Sequence, residues 1–313
     1  MKSMKKIVVL GSSNMDLVFS VEEMPRTGET IKSRGFHKVP GGKGANQACA
    51  CGKLGGECTF LSAVGEDDSG KRLLESLEKA GVHTDKVLKK ENDTTGMAAI
   101  MVAVSGDNSI VIVPGANQAC DREYVESNMD VIEEADVVLT QFETPKEGVF
   151  KCIQEAKAAG KTVILNPAPA PDAIPKEILQ GLDYLTPNET ELNRLTGMPV
   201  ETIEELEKAS KVLLAMGVKN VIVTLGKRGA LLSNVAGSRI CPAFTHLKVV
   251  DTTAAGDTFN AGLAVGLAEG RCLEEAICLA NAAAAISVTR NGAQTSIPTK
   301  EEADELILKM RDK

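Results

Sequence analysis

The chain has 313 residues, with 35 lysines and arginines against 43 aspartates and glutamates, a formal net charge of −8. At 43% hydrophobic it can bury a sizeable core, as one large domain or one domain with an attachment. Net acidity, two Tyr, seven Phe and no Trp argue against the basic, stacking surface that nucleic acid requires.

The first strand is expected at residues 6–10. The run Met1-Lys-Ser-Met-Lys-Lys6 ahead of it is followed by too few apolar residues for a signal peptide. Apolar stretches such as 261–268 fall far short of the roughly 20 residues that span a bilayer. The expectation is a soluble, cytoplasmic protein that does not engage a membrane. Directly after the strand, Leu10-Gly-Ser-Ser-Asn-Met-Asp16 sets Asn14 and Asp16 where open α/β sheets hold ligands. The pair can grip vicinal hydroxyls, or simply form an Asx-type turn.

Residues 16–40 are strand-like, with glycine turns and no helix. In Pro40-Gly-Gly-Lys-Gly-Ala-Asn-Gln-Ala48, three glycines (among them Gly42 and Gly44) surround Lys43, and Asn46 follows. This is a donor-rich loop entering a helix, or a turn with an exposed lysine. A strand at 59–64 and a helix at 70–80 come next. Between them Gly65-Glu-Asp-Asp-Ser-Gly-Lys-Arg72 has the spacing of a P-loop, but Arg72 stands where a magnesium-binding hydroxyl is needed. It is a chance match. No G-x-G-x-x-G follows a strand, so a nicotinamide fingerprint is absent too.

Residues 97–104 and 109–113, joined through Gly106-Asp-Asn108, read as a hairpin. Segments 16–40 and 94–113 are therefore expected to build a small separate sheet. They interrupt an α/β body made of 1–15, 41–93 and 114–313. A small sheet with one apolar face needs cover from the body's cleft or from a partner subunit.

Strands at 137–139, 162–165, 184–186 and 221–224 alternate with helices at 147–159 and 203–216. That rhythm predicts an α/β fold, a mainly parallel sheet sandwiched by helices. In Thr186-Pro-Asn-Glu-Thr-Glu191, the carboxylates near Asn188 complement a helix dipole or hold Mg²⁺ through water. Thr224-Leu-Gly-Lys-Arg-Gly229 suits either a hairpin turn or the rim of a nucleotide site.

The strongest segment is Val250-Asp-Thr-Thr-Ala-Ala-Gly-Asp-Thr-Phe-Asn260, which opens helices at 261–267, 274–288 and 300–309. Small residues let the backbone approach a ligand, and Gly256 and Asp257 fall at a helix N-terminus that favours an anion. Asp257 either caps that helix or accepts a proton from a substrate hydroxyl. Cysteines at 49, 51, 58, 120, 152, 241, 272 and 278 form no C-x-x-C pair and are expected as buried, reduced thiols. Three scattered histidines (His37, His83 and His246) support neither a transition-metal site nor a catalytic triad.

Taken together and in this order, GSSNMD, GGKGANQA, Leu165-Asn-Pro-Ala-Pro-Ala170, TPNETE, TLGKRG, DTTAAGDTFN and Val288-Thr-Arg-Asn-Gly-Ala-Gln294 run end to end through the chain. The chain resembles the ribokinase/PfkB carbohydrate kinase family, and GGKGANQA with the Asn14–Asp16 element points to its ribokinase branch. The resemblance implies phosphorylation of ribose at its 5-hydroxyl by ATP. Asn14, Asp16, the loop Gly42, Lys43, Gly44 and Asn46, and Glu143 would hold the sugar. Asp257 would be the base, with N–H groups around Ala255 and Gly256 as the anion hole.

The ATP side would draw on Asn188, Thr224, Leu225, Gly226, Lys227, Arg228, Gly229 and Asn281, with Glu191 organising Mg²⁺. Asp251, Thr253, Ser287, Arg290, Gly292 and Ser296 would hold a monovalent cation, K⁺ in preference to Na⁺, mostly through carbonyls. Some relatives carry His where Asn281 stands, so stacking on adenine is altered here. The two β insertions would form a lid that also clasps a homodimer. A related sugar (2-deoxyribose, fructose or a nucleoside) in place of ribose, and a non-catalytic sugar or nucleotide sensor, are the alternatives.

Overall fold

The computed structural model describes residues 5–311, so Met1–Met4 of the stretch weighed above as a signal peptide lie outside the described residues. The chain begins β1 (Lys6–Leu10), β2 (Asn14–Val21), β3 (Gly35–Gly41), α1 (Lys43–Lys53), β4 (Glu57–Leu61), β5 (Ala63–Gly65) and α2 (Asp68–Lys79). It continues through β6 (Leu88–Lys90), β7 (Gly96–Ala103), β8 (Asn108–Val113), α3 (Arg122–Glu126), α4 (Met129–Glu134), β9 (Val137–Thr140), α5 (Lys146–Ala158) and β10 (Thr162–Leu165). Then come α6 (Lys176–Leu179), β11 (Tyr184–Leu185), α7 (Glu189–Thr196), α8 (Ile203–Ala215), β12 (Asn220–Thr224), β13 (Ala230–Asn234) and β14 (Gly237–Cys241). The closing helices are α9 (Ala255–Ala268), α10 (Leu273–Ser287) and α11 (Lys300–Arg311).

Eight strands form the main sheet in the order β14-β13-β12-β11-β10-β9-β1-β4. It is parallel from β4 to β12, and the last two strands turn back antiparallel. Strand alternation sorts the core into two halves. Ile7 and Val9 pack under α1, α2, α9 and α10, while Val8 and Leu10 pack under α5 and α8 on the other face. The buried α9 and α10 are rich in Ala and Leu over most of their circumference, as a helix enclosed on all sides requires. No helix among the described residues is long and apolar enough to cross a membrane.

A second sheet, β3-β2-β7-β8, lies outside this sandwich. β2 begins at Asn14, ahead of the expected start at residue 16, so Asn14 and Asp16 are themselves strand residues. Its edge strand β8 exposes Ile110, Val111 and Ile112 by 53%, 62% and 53%.

Three local expectations change. The strand foreseen at 59–64 is two strands, because the chain breaks at Ser62, whose N–H donates to the Tyr124 hydroxyl at 3.0 Å. β5 then leaves the main sheet to pair with β6. In the P-loop-like segment, Asp67 caps α2, accepting from the Gly70 N–H at 2.8 Å and from the Thr95 hydroxyl at 2.7 Å. A carboxylate thus satisfies the donors a phosphate would have needed. Cys272 is exposed at the start of α10, and Cys241 and Cys278 are half-buried; the other five cysteines are buried, and none of the eight is in a disulfide.

Candidate active site

The C-terminal ends of β1, β9, β10, β11 and β12 open on one side of the parallel sheet. Asn14, Glu143, Asn166, Asn188 and Thr224 follow those ends, the position where open α/β sheets hold ligands. The N-termini of α1 and α9 complete the site.

On one side, Gly42 precedes α1 with φ 88°, and a Cβ there would stand 2.7 Å from the Asn14 nitrogen. Only glycine lets the loop lie this close to β2. The Glu143 carboxylate accepts from the Ser12 hydroxyl at 2.6 Å and from the Lys43 N–H at 2.9 Å, fixing the start of α1. Asn14 Oδ1 accepts from Asn117 Nδ2 at 2.8 Å. Asn46 donates to Asp257 Oδ2 at 3.0 Å, and its own Oδ1 is buried with no partner.

The carboxylates Asp16, Glu143, Asp257 and Glu191 all act on Lys43. Burial disfavours its charge, yet their combined charge holds its pKa above the ordinary value. Burial, with Glu143 and Asp257 nearby, pushes Asp16 up to about 7. Burial raises Asp257 as well, against Lys43 and the bonds from Asn46 and Gln47. Glu191 is raised by burial, opposed by its bond from Asn188 and by Lys43.

The helix α9 begins at Ala255, so Asp257 sits inside the first turn and is not its N-cap. The cap is Ala254, held at φ 59° in the left-handed region, which costs a non-glycine residue about 1–2 kcal/mol. Ala255 N–H donates to Thr252 O at 3.2 Å, so it is partly used within the turn. The N–H groups of Gly256 and Asp257 have no acceptor among the described residues. They face a cavity of about 230 Å³ lined by Lys43, Asn188, Glu191 and Asp257.

A second cavity of about 290 Å³ is walled by Phe244, Leu247, Val249, Phe259, Ala284 and Val288. Thr224, Thr252, Ala255 and Gly256 line both cavities, so the two meet at the N-terminus of α9. Gly226, Lys227, Gly229 and Asn281 line the second. Leu225 is buried in the core below β12, and Arg228 turns away to pair with Glu189. Asn281 Nδ2 donates to the carbonyls of Cys241 and Pro242, each at 3.1 Å, which ties its amide group to the end of β14. The hairpin turn and the cavity rim foreseen at 224–229 are the same feature.

Asn188 and Glu191 form a reciprocal cap on α7, each accepting from the other's N–H at 2.8 Å. Asp251 accepts from Thr253 N at 2.9 Å and, through its other oxygen, from Gly292 N at 2.9 Å. Burial resists this, but the three hydrogen bonds it accepts hold its carboxyl below the usual range. Asp251 therefore clips the loop before α9 to the loop after α10. In that second loop the Ser287 and Ser296 hydroxyls bond to the carbonyls of Ala284 and Ala293, and Arg290 pairs with Glu302.

Residues that motif reading left without a role are also here. Ser12, Gln47, Asn166 and Phe259 lay inside quoted motifs, but Asn117, Gln141 and Phe244 carried no local signal. The polar ones depend on partners far along the chain, 131 residues between Ser12 and Glu143 and 210 between Gln47 and Asp257.

The model of the pfkB family of carbohydrate kinases matches residues 4–300. The chain belongs to that family. It is similar to the ribokinase of Haemophilus influenzae, 42% identical over 303 residues covering 97% of this chain and 98% of that one. A deoxyribokinase from Salmonella typhi is 36% identical over 301 residues, covering 96% and 98%. Among solved structures, Arabidopsis thaliana ribokinase complexed with ribose and ATP superposes with a TM-score of 0.92 at 39% identity, covering 97% of this chain and 98% of that chain. Like these pfkB kinases, the chain is an α/β sandwich with a predominantly parallel sheet.

Proposed function

We propose that this chain transfers the γ-phosphoryl group of ATP to the 5-hydroxyl of ribose. The observation that carries the reading is the meeting of a carboxylate-rich cavity and an apolar cavity at unpaired N–H groups beside Asp257. Similarity to ribokinases, one of them complexed with ribose and ATP, supports the choice of both substrates.

Phosphoryl transfer to an alcohol needs in-line placement and stabilisation of charge more than covalent help. Asn14, Asp16, Lys43, Asn46 and Glu143 would hold the sugar, with the backbone at Gly42 and Gly44 close against it. Asp257 takes the hydroxyl proton, and the raised pKa of this buried carboxylate suits an acceptor. The Gly256 and Asp257 N–H groups stabilise the charge on the transferring group, with the Ala255 backbone shaping the turn. The apolar cavity, rimmed by Thr224, Gly226, Lys227, Gly229 and Asn281, receives the base and ribose of ATP, and Asn188 faces its phosphates.

The donor set suits Mg²⁺ bound mainly by phosphate oxygens and water. No group of three metal-ligating side chains is assembled among the described residues, and one Glu191 oxygen is committed to the α7 cap. Glu191 would orient such a hydrated ion, which adds positive charge beside the phosphates. A monovalent cation, K⁺ over Na⁺, fits the loops joined by Asp251. Those loops and the end of α10 carry Thr253, Ser287, Arg290, Gly292 and Ser296, with backbone carbonyls and hydroxyls, and the Arg290 charge is answered by Glu302. The sheet β3-β2-β7-β8 serves as a lid, and its exposed apolar edge strand as the contact of a homodimer.

A product assay with ATP and a panel of pentoses, hexoses and nucleosides tests the reading. Ribose 5-phosphate as the dominant product supports it. Preferred use of 2-deoxyribose, the reading favoured by the deoxyribokinase relative, overturns the sugar assignment, and no ATP turnover with any sugar would point to a sensor.

A further inference from the structure

Beside Asp257 lies a run of buried side-chain amides to which the proposed chemistry gives no role; Asn166, Thr186 and Asn260 also line the smaller cavity, while Gln47 and Gln141 are 0% exposed. Gln47 Nε2 donates to Asp257 Oδ1 at 3.1 Å and to Asn166 Oδ1 at 3.1 Å. Its carbonyl oxygen accepts from Gln141 Nε2 at 2.6 Å. Asn166 Nδ2 in turn donates to the backbone carbonyl of Thr186 at 3.1 Å. Thr186 Oγ1 bonds Asn260 Oδ1 at 2.6 Å, and Asn260 Nδ2 donates to the Gly256 carbonyl at 2.9 Å.

The polarity of this run is determined at one end. The Thr186 carbonyl can only accept, so Asn166 must present its amine to it and its oxygen to Gln47. Gln47 must then present its amine to Asn166, which also aims a donor at Asp257. Reversing Gln47 would set its oxygen against those of Asp257 and Asn166. Gln141 must meet Gln47 with its amine, and its own oxygen is left buried without a partner. That orphaned acceptor is the cost of a single orientation throughout. Gly11 belongs to the same arrangement, since a Cβ there would stand 2.1 Å from Gln141 Oε1.

We propose that Gln47, backed by Gln141, is a positioning residue for the base, holding Asp257 Oδ1 so that Oδ2 is the oxygen that takes the substrate proton. The proposal rests on the reading of Asp257 as that base. Gln47 is 0% exposed, so its bond persists when sugar occupies the site. Asn46, which is 6% exposed, donates to Oδ2 and can yield to a hydroxyl. The donated hydrogen bond also favours the ionised carboxylate, alongside Lys43 from α1 and against the charges of Glu143 after β9, Asp16 on β2 and Glu191 on α7.

The test is the pH dependence of kcat for Gln47→Leu with ribose and ATP, beside ligand dissociation constants and a thermal melt. Losing the donor raises the pKa of Asp257, so the acid limb should move up by about one pH unit. On the acid side of that limb the rate should fall by up to about tenfold, and it should recover as pH rises past the limb, with ATP affinity unchanged. Gln141→Met, which removes the donor to the Gln47 carbonyl and so loosens its hold on Asp257, should give a smaller shift of the same sign and carries the test if Gln47→Leu does not fold. A rate lowered equally at every pH, or not lowered, overturns the positioning role. If Asp257→Asn itself keeps more than about a tenth of the activity, the base reading fails and this proposal with it.

Discussion

The two cavities that meet at α9 are built on opposite principles. The one beside Asp257 is crowded with charge: four carboxylates act on the single ammonium of Lys43, and Glu143 and Asp257 accept from Ser12, Lys43 and Asn46. Its neighbour is walled by two phenylalanines and small aliphatics, and its one side-chain amide, Asn281, is occupied with the carbonyls of Cys241 and Pro242. A polar site selects by leaving unmatched groups unpaired, which is expensive; an apolar one selects by shape, where a missing group costs little. The sugar side should therefore be the discriminating half, and the nucleotide side the permissive one.

The largest expected effect lies where the halves join. Asp257→Asn keeps shape but loses the proton acceptor, so turnover should fall by about 10²–10⁴ while ribose and ATP still bind in titration. Retention of more than about a tenth of the rate would leave Asp257 a structural residue. Next comes the discriminating half itself. If Asp16 grips the 2- and 3-hydroxyls, 2-deoxyribose leaves a buried charged group partly unpaired. Ribose should then be preferred in kcat/KM by at least about tenfold, and equal use of both sugars would undo the contrast between the cavities.

Burial of a carboxyl among like charges also predicts a stability effect on that side. Asp16 titrates near 7 folded, against 3.8 as its ordinary value. The folded protein thus retains a proton that the unfolded chain loses, and stability drains away as pH rises from about 4 to 7. Asp16→Asn should be more stable than the parent at pH 8, by on the order of 2 kcal/mol, and equal to it at pH 4. Denaturant melts at the two pH values measure this, and a destabilised variant at pH 8 would contradict it.

Smaller effects belong to the nucleotide side and the lid. A cation on the Asp251-clipped loops would stiffen the turn carrying Ala255 and Gly256 without touching substrate, raising kcat more than it lowers KM. K⁺ added to tetramethylammonium buffer at fixed ionic strength should activate several-fold, more than Na⁺, and Asp251→Ala should abolish the response with ATP binding intact. Unchanged rates with K⁺ defeat the idea. Last, Ile112→Lys on β8 should shift a dimer toward monomer in sedimentation at micromolar concentration with the least effect on turnover. A parent that sediments as a monomer removes the clasp and leaves the chemistry untouched.

Local sequence determined much of this molecule. Apolar runs between amphipathic stretches identify the parallel sandwich, because a strand covered on both faces must be apolar throughout. The hairpin at 97–113 and the small-residue helix start at 254–256 were legible for similar reasons, since glycine turns and helix termini constrain residues a few positions apart. Motif order pointed to the kinase family, and Lys43, Asn188, Thr224 and Asp257, drawn from four of those motifs, line one cavity. Whether Asp257 caps a helix or faces a cavity was undecidable from its neighbours in the chain. The tertiary structure decided it by starting α9 at Ala255 and bringing Asn46 and Gln47 to the carboxylate from 211 and 210 residues away. The break at Ser62 depends on Tyr124, and the amide run on Gln141 and Asn166, in the same way. Backbone preference acts within a turn or two of chain, whereas a buried hydrogen bond needs its partner only nearby in space, and folding alone supplies that.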